Sequence, residues 1–275
     1  MKEFPARIHV LFAHDSRDAV VIRRGPAKRV ATIGWNRDYD EFILGQWLKG
    51  RIYERRSDLS PDGKHLIYFA MNGKWDSETK GSWTAISRSP YLKAIGLWSK
   101  GDCWHGGGLF LDSNRYWIND GYGHELMLLP SNLQRDANPP VGRYGGECYG
   151  VYFPRLLRDG WKLVSQPGES AAATDSWNFD KVDSSGWTLR KIAHTTSNTS
   201  PGKGCYYDTH QLFNARTGAH IECSNWEWAD FDRERLVWSE LGKLFAGRLA
   251  SSGVVDTREL YDFNHARFEA INAPY

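Results

Sequence analysis

The chain has 275 residues, and its 35 lysines and arginines nearly balance its 33 aspartates and glutamates, which leaves a formal net charge of +2. This balance argues against nucleic acid or an anionic membrane as the main partner, because both attract a strong basic excess. The 13 tryptophans, 13 tyrosines, 12 phenylalanines and 27 glycines are typical of a fold built from many strands and turns.

The first part of the chain alternates short apolar segments with polar turns. The segments are residues 7–12, 19–23, 28–35 and 41–47. Short apolar runs at such close spacing are strands rather than helices, and short connections join antiparallel neighbours. The sequence therefore predicts a four-stranded antiparallel meander.

The next part contains the clearest local signal, a hairpin around residues 57–71. A strand that ends at Leu59 is followed by the turn Ser60-Pro61-Asp62-Gly63 and by a second strand over residues 65–70. Proline presets the backbone angle of the second turn position, and Gly63 can adopt the positive φ that closes the turn. The second strand is apolar on both faces, which predicts that it is covered on both sides. Residues 82–87 and 92–98 complete this group of strands.

The remaining chain supplies strand candidates for three further groups. They are residues 108–111, 115–118 and 125–129, then 148–157, 161–165, 186–192, 205–213 and 219–222, and finally 226–238 and 243–249. Only residues 236–249 have any helical character, and Gly242 and Gly247 favour strands there. The tail, residues 256–268, is expected to pack on a neighbouring group or on the amino-terminal strand. Residues 130–147 form the longest predicted loop, and long loops in compact domains are often functional.

The pattern S-x-x-S-P-D-G-K-x-L-x-Y over residues 57–68 resembles the blade repeat of TolB-type (PD40) β-propellers. Residues 226–249 are more weakly similar to it. The resemblance implies an all-β, WD40-like propeller fold and a tendency toward protein–protein interaction, not a reaction. Many proteins with such repeats are periplasmic, and this chain departs from them because it lacks a recognisable signal peptide.

Strand spacing divides the whole chain into one propeller domain, residues 1–275, of four or five four-stranded blades, with five as the preferred number. The blades cover residues 4–50, 51–100, 101–150, 151–225 and 226–268. Terminal segments are expected to close the ring, because closure leaves no strand edge bare.

The cellular compartment is predicted from what the chain lacks. Residues 1–7 have no apolar core of a secretion signal, and no later run approaches the roughly 20 apolar residues that cross a bilayer. The four cysteines, Cys103, Cys148, Cys205 and Cys223, show no paired framework spacing. They therefore favour free thiols in a reducing compartment. The sequence predicts a bacterial cytoplasmic protein.

Two of these cysteines raise the question of zinc. Cys205, His210, His220 and Cys223 flank a hairpin whose midpoint lies near Ala215, which would place His210 opposite His220. Side chains alternate between the faces of a strand, so Cys205 and His210, five residues apart, point to opposite sides. We therefore expect buried thiols and hydrogen-bonded histidines, with no metal ion and no cofactor.

Catalysis is the weaker of two functional hypotheses. The chain has neither a G-x-S-x-G elbow nor a phosphate-binding loop. Glycoside hydrolysis requires two carboxylates that meet at the site, which a linear sequence cannot establish. Candidates near the blade starts are Asp58, Asp102, Glu147 and Asp230, and turn capping is the alternative role for each.

Binding fits the sequence better. Large aromatic residues in polar, glycine-rich loops have little core to fill and are common anchors of protein and sugar sites. The predicted binding residues are Trp75, Trp104, His105, Tyr144, Glu147 and Trp177. The basic cluster Arg51, Arg55 and Arg56 is expected to form ion pairs with Glu54, Asp58 and their neighbours. The predicted function is a non-catalytic protein-interaction platform, with toxin immunity as one specific version; a carbohydrate-binding or glycosidase-like propeller is the alternative.

Overall fold

The structure, a computed structural model, describes residues 4–26, 28–138, 140, 148–167, 176–195 and 206–275. These residues form five open β-sheets, a short 3₁₀ helix and one α-helix. The predicted all-β class is therefore confirmed.

The first sheet follows the sequence prediction closely. It contains β1 (Arg7–Phe12), β2 (Asp18–Arg24), β3 (Arg29–Asn36) and β4 (Glu41–Lys49), which pair in chain order. The turn after β3 is fixed locally, because Asn36 Oδ1 accepts the Asp38 N–H at 3.0 Å. The predicted four-stranded meander is confirmed.

The second sheet contains the hairpin that dominates the sequence. Its elements are β5 (Arg51–Ile52), a 3₁₀ helix (Glu54–Arg56), β6 (Asp58–Leu59), β7 (His65–Met71), β8 (Ser82–Arg88) and β9 (Ala94–Ser99). The predicted turn forms: Ser60 Oγ donates to Asp62 Oδ1 at 2.7 Å and accepts the His65 N–H at 2.9 Å. Gly63 has φ +76°. The strand before the turn is interrupted by the 3₁₀ helix, so both β5 and β6 pair with β7.

The third group of strands departs from the prediction. It consists of β10 (Gly108–Phe110), β11 (Arg115–Ile118), β12 (Glu125–Leu128) and β13 (Gln134–Arg135). Residues 101–150 do not form one blade, because β12 leaves the group and pairs antiparallel with β9 of the second sheet. The two-residue strand β13 pairs parallel with β11 instead. The predicted four-stranded antiparallel blade is wrong here.

The predicted strand over residues 148–157 is also wrong. The helix α1 (Tyr149–Arg158) occupies this position. Its side chains meet at helical spacing: Tyr149 and Phe153 stack with their ring centroids 4.7 Å apart. Arg155 on the helix donates to the Glu54 carbonyl at 3.0 Å.

Two sheets follow the helix. One contains β14 (Lys162–Ser165), β15 (Ser176–Val182), β16 (Trp187–Thr195), β17 (Tyr206–Asn214) and β18 (Ala219–Cys223). The other contains β19 (Trp228–Asp232), β20 (Arg235–Glu240), β21 (Lys243–Ala250) and β22 (Gly253–Asp262). The sequence did not predict β15. Strands over residues 236–249 are confirmed, and the tail contributes β22 to this last sheet.

Two compact units can be distinguished. The first comprises Met1–Phe4, His9–Arg155 and Ala266–Tyr275, and the second comprises Pro5–Ile8 and Leu156–His265. In the first unit the carboxyl-terminal segment packs on the second sheet, where the Tyr275 hydroxyl donates to the Lys93 carbonyl at 2.6 Å. Neither helix of the described ranges has the length and apolar character of a membrane span.

Candidate functional site

Three loops of the first unit meet at one end of the second sheet. They are residues 72–81 between β7 and β8, residues 100–107 after β9, and residues 119–124 before β12. The strand register places them together, because Met71 pairs with Ser82, and Ser99 pairs with both Trp83 and Glu125. We call this set of loops the aromatic end, since Trp75, Trp104 and Tyr122 are each more than half exposed there.

Trp75 is held by the close approach of a glycine. The Asn72 N–H donates to the Gly81 carbonyl at 3.0 Å, which closes the loop at its base. Gly81 has φ +77°, and a Cβ at this position would lie 2.5 Å from the Trp75 ring. The indole therefore rests on a backbone surface that only glycine provides, and its remaining surface faces solvent.

Trp104 is positioned by an aspartate that pairs with a buried lysine. Lys100 Nζ lies 2.7 Å from Asp102 Oδ2, and the Lys100 side chain is fully buried. The other oxygen of Asp102 accepts the Trp104 N–H at 2.8 Å. The Lys100 ammonium also lies 4.3 Å from the centroid of the Tyr122 ring. A cation over an aromatic face is attractive, so one lysine links two of the three loops.

His105 packs against the third loop. Its ring meets Tyr122 edge to face, with 5.2 Å between the centroids. A Cβ on Gly121 would lie 2.9 Å from this imidazole. The aromatic end thus contains the sequence-predicted residues Trp75, Trp104 and His105, together with Tyr122, which the prediction missed.

A series of hydrogen bonds beneath these loops, which we call the polar relay, has a structural role. Thr84 Oγ1 accepts the Gly107 N–H at 2.9 Å and lies 3.2 Å from His124 Nε2, while His124 Nδ1 lies 3.1 Å from the Asp120 carbonyl. Burial lowers the pKa of His124, so the ring is neutral, with Nδ1–H donating to the carbonyl and Nε2 accepting from Thr84. Because Thr84 is fully buried, the relay braces the loops and presents no nucleophile to solvent.

The other predicted binding residues lie elsewhere. Trp177 is not in a loop: it lies on β15 of the second unit, paired with Ala193. Tyr144 and Glu147 lie outside the described residues, so the structure does not place them.

The candidate carboxylates have structural partners. Buried Asp58 accepts the Phe110 N–H at 2.8 Å. Asp102 pairs with Lys100 and accepts the Trp104 N–H. Asp230 lies 2.7 Å from Lys181 Nζ and accepts the Trp161 indole N–H at 3.3 Å. Glu147 lies outside the described residues. Asp58 and Asp230 thus join segments that are distant in sequence, whereas Asp102 has the turn-capping role that was the predicted alternative.

The cysteine–histidine quartet is arranged differently from the prediction. The register of β17 and β18 pairs His210 with Cys223 and Phe213 with His220, so the expected pairing of His210 with His220 is wrong. Buried His210 contacts the Trp226 carbonyl and Lys191. Cys205 lies outside the described residues. Within the ranges that are described, no three histidine, cysteine or acidic residues form a metal-binding group.

Among the described residues, the longest run of exposed large apolar side chains lies at β12, where the sequence predicted a strand but not its exposure. Leu126, Met127, Leu128 and Leu129 are 40–62% exposed, although they lie on or directly after β12 at the sheet edge. A cavity of about 410 Å³ adjoins this segment and includes Leu128, Leu129, His65 and Arg88 in its wall. The sequence signal was the run E-L-M-L-L without polar alternation, which is equally typical of a buried strand.

Comparison with known proteins adds little to this geometry. No protein-family model matches the chain, and no curated protein matches its sequence. Among solved structures, the chain is similar to the uncharacterised protein lmo1340 from Listeria monocytogenes EGD-e, with 8% identity and a TM-score of 0.31. The alignment covers 92% of this chain and 66% of that protein.

Proposed function

We propose that the chain is a non-catalytic protein-interaction module and that its five sheets are the blades of a β-propeller. Support for the propeller comes from the chain order of the sheets, most of which consist of consecutive antiparallel strands. Propellers stack sheets of this size around an axis and commonly serve as rigid platforms.

The observation that carries the interaction role is the exposed edge strand β12. Four consecutive apolar residues, 126–129, remain 40–62% exposed. Sheet edges with open backbone groups and apolar side chains pair readily with other chains, and proteins normally cover or charge them. Burying a Leu or Met side chain contributes about 1.5–3 kcal/mol when it starts fully exposed. The partner that fits is therefore a protein segment that pairs as an extended strand.

The aromatic end continues this surface. β12 begins at Glu125, directly after the loop that carries Tyr122 and His124. Lys80 Nζ lies 2.6 Å from Glu125 Oε1 and connects the Trp75 loop to the start of the strand. Trp and Tyr are frequent binding hot spots, and a surface that is already braced loses less entropy on binding. The apolar strand and the aromatic end together form one interaction face.

The test is a quantitative binding measurement with surface variants. A partner is captured from a lysate of the source organism, and its affinity is then measured for the wild type and for Leu126→Lys and Leu128→Lys. We expect each charge to weaken binding at least 100-fold, because a desolvated lysine opposes apolar burial. Both positions are exposed, so the melting temperature should stay within a few degrees of the wild type.

The matched control is Val182→Lys. Val182 is an equally exposed apolar strand residue on β15 of the second unit. Equal loss of affinity in this variant would show that the added charge acts nonspecifically, and unchanged affinity of the β12 variants would overturn the proposed face. If the partner is a toxin, as the immunity version requires, the wild type should protect cells that the β12 variants do not.

Sugar binding is the second candidate, and the exposed Trp75 and Trp104 favour it. Indole faces are common sugar platforms, and Asp102 and Lys80 offer polar groups nearby. Glycan-array binding that is lost in Trp75→Ala and Trp104→Ala, but retained in Leu126→Lys and Leu128→Lys, would support this alternative. If the wild type binds glycans on the array and captures no protein partner, sugar binding replaces protein interaction as the proposed function.

A further inference from the structure

A cavity of about 420 Å³ lies in the first unit and shares only Asn72 and Gly73 with the aromatic end. Its wall comes from the β2–β3 turn, the junction of β4 with β5, and the end of β7. The lining residues are Arg24, Gly25, Lys28, Arg29, Val30, Gly50, Arg51, Tyr53, Met71, Asn72 and Gly73. Cavities that bind small molecules commonly measure about 300–1,000 Å³, so this one is large enough for an organic ligand.

The wall carries an excess of positive charge. Arg24 Nη2 lies 2.7 Å from Glu54 Oε1, and this pair is neutral overall. Lys28, Arg29 and Arg51 also line the cavity and are largely exposed. Within the described ranges, none of these three residues forms an ion pair. The sequence had predicted that Arg51 would pair with Glu54, but the salt bridge to that carboxylate comes from Arg24.

The crowding of like charges is unfavourable in the free protein. Arg29 on β3 lies directly opposite Lys49 on β4. Like charges at facing positions of an antiparallel pair destabilise the sheet. A bound anion would relieve this repulsion.

The negative charge of Glu54 does not repel an anion from the cavity, because the ion pair with Arg24 compensates that charge. Burial by itself would raise the pKa of this carboxyl group, but the guanidinium groups of Arg24 and Arg51 hold it at about 2. Glu54 is therefore ionised and fixes Arg24 in the wall. Lys28, Arg29 and Arg51 supply the net positive charge of the cavity wall.

The wall also has an oriented guanidinium and an apolar side. Arg51 stacks on Tyr53, with its guanidinium carbon 4.4 Å from the ring centroid. Stacking restricts the orientation of the Arg51 guanidinium. The N–H groups of a guanidinium can bind a phosphate or carboxylate group in a bidentate manner. Met71 and buried Val30 form an apolar part of the wall. At the rim, Gly50 has φ +158°, and a Cβ there would lie 2.5 Å from the Met71 carbonyl oxygen.

From these features we propose that this cavity binds a small organic polyanion. The ligand carries at least two phosphate or carboxylate charges that contact Lys28, Arg29 and Arg51, and an apolar body that lies against Met71 and Val30. The cavity volume exceeds what a single inorganic anion fills, which is why the ligand is organic. The proposal does not depend on the protein-interaction function.

The experiment is isothermal titration of the full chain with three probes: inorganic pyrophosphate, citrate and phenyl phosphate. Inorganic phosphate serves as the reference, and we expect phenyl phosphate to bind more tightly than this reference at matched ionic strength, because phenyl phosphate has an apolar body. Binding should weaken as salt is raised from 50 to 300 mM, since partly exposed charges are screened. The relative affinities for pyrophosphate and citrate distinguish phosphate from carboxylate ligands.

Variants locate the site. Lys28→Gln and Arg51→Gln should each weaken the tightest probe at least tenfold, and Arg29→Gln/Arg51→Gln should abolish detectable binding. Arg51→Gln also removes the Tyr53 stack, so Lys28→Gln, which changes an exposed side chain, is the variant that separates binding from folding. Arg267→Gln, an exposed arginine of the carboxyl-terminal segment, is the control. Failure of all three probes to bind at millimolar concentration, or equal weakening by Arg267→Gln, would overturn the proposal.

Discussion

Replacing Arg56 with alanine will lower the free energy of unfolding by about 3–5 kcal/mol, because each hydrogen bond from a charged group contributes about 1.5–3 kcal/mol and this guanidinium makes at least two. Arg56 is 1% exposed, and its Nη1 donates to the carbonyls of Cys103 at 2.7 Å and His105 at 2.5 Å. Its guanidinium carbon also lies 4.8 Å from the Tyr53 ring centroid and 5.0 Å from that of Phe69. Alanine removes these contacts and leaves the two carbonyls without this donor.

The same substitution should disturb the aromatic end. The two carbonyls flank Trp104, so loss of the guanidinium loosens the loop that presents this indole. Urea unfolding measures the stability loss, and fluorescence quenching by iodide, with Trp104→Phe as the reference, reports greater exposure of the indole. Arg56→Lys keeps the charge without the planar fork and should recover only part of the stability.

Arg88→Ala provides the matched control. The Arg88 guanidinium also lies over an aromatic ring, 4.8 Å from the Tyr275 centroid, but its side chain is exposed. An exposed cation–π contact contributes about 0.5–1 kcal/mol, so the control should change stability by no more than that. If Arg56→Ala proves as mild as Arg88→Ala, the loop does not depend on the buried guanidinium.

The parts of the fold that the sequence predicted are those fixed by neighbouring residues. The turn at residues 60–63 depends on the hydroxyl of Ser60, the carboxylate of Asp62 and a positive φ at Gly63. All of these act within a few residues, so the pattern specifies the hairpin without reference to the rest of the chain. The meander of β1 to β4 is equally local.

The missed parts depend on contacts that are distant in sequence. β12 pairs with β9, more than two dozen residues earlier, and nothing in the run E-L-M-L-L specifies that partner. Helix α1 has a nearly continuous apolar run, which fits a strand as well as a buried helix. Arg155 then ties this helix to the carbonyl of Glu54, about a hundred residues earlier.

The candidate sites follow the same division. Trp75 and Trp104 could be proposed from glycine-rich loops, because a large aromatic in such a loop has little core to fill. The basic cavity could not be proposed, because Lys28 and Arg51 are distant in sequence and only the pairing of β3 with β4 brings their turns together. The pairing of Glu54 with Arg24 rather than Arg51 is likewise set by tertiary structure.

Acidification will destabilise the second unit through His210. This side chain is fully buried, with Nδ1 3.0 Å from the Trp226 carbonyl and Nε2 2.9 Å from Lys191 Nζ. Burial, and secondarily the charge of Lys191, lower the pKa of His210 to about 3. Because the lysine donates to Nε2, the neutral ring donates its Nδ1–H to the carbonyl, and protonation would place two cations in contact.

The sign of the effect follows from proton binding. In the unfolded chain a histidine has a pKa of about 6.5, so between pH 6.5 and about 3 the unfolded state binds a proton that the folded state does not. Neutral His210 therefore contributes its full amount to the free energy of unfolding above pH 6.5. This contribution is lost as the pH falls toward 3, and His210 causes no further loss below pH 3. The slope approaches about 1.4 kcal/mol per pH unit, which amounts to roughly 5 kcal/mol across the window.

Urea unfolding at pH 7.5, 6.0, 5.0 and 4.0 tests this prediction with His210→Gln. The glutamine amide can accept from Lys191 but does not titrate, so the difference in stability between wild type and variant should shrink steadily below pH 6.5 and then reverse. Acidic residues titrate in both proteins and cancel in the difference. Val182→Gln, which places the same amide at an exposed position of β15 and removes no titratable group, is the control, and its difference from the wild type should stay constant with pH. A constant difference for His210→Gln as well would show that this buried imidazole is protonated as readily in the folded chain as in the unfolded one, and that Lys191 does not donate to it.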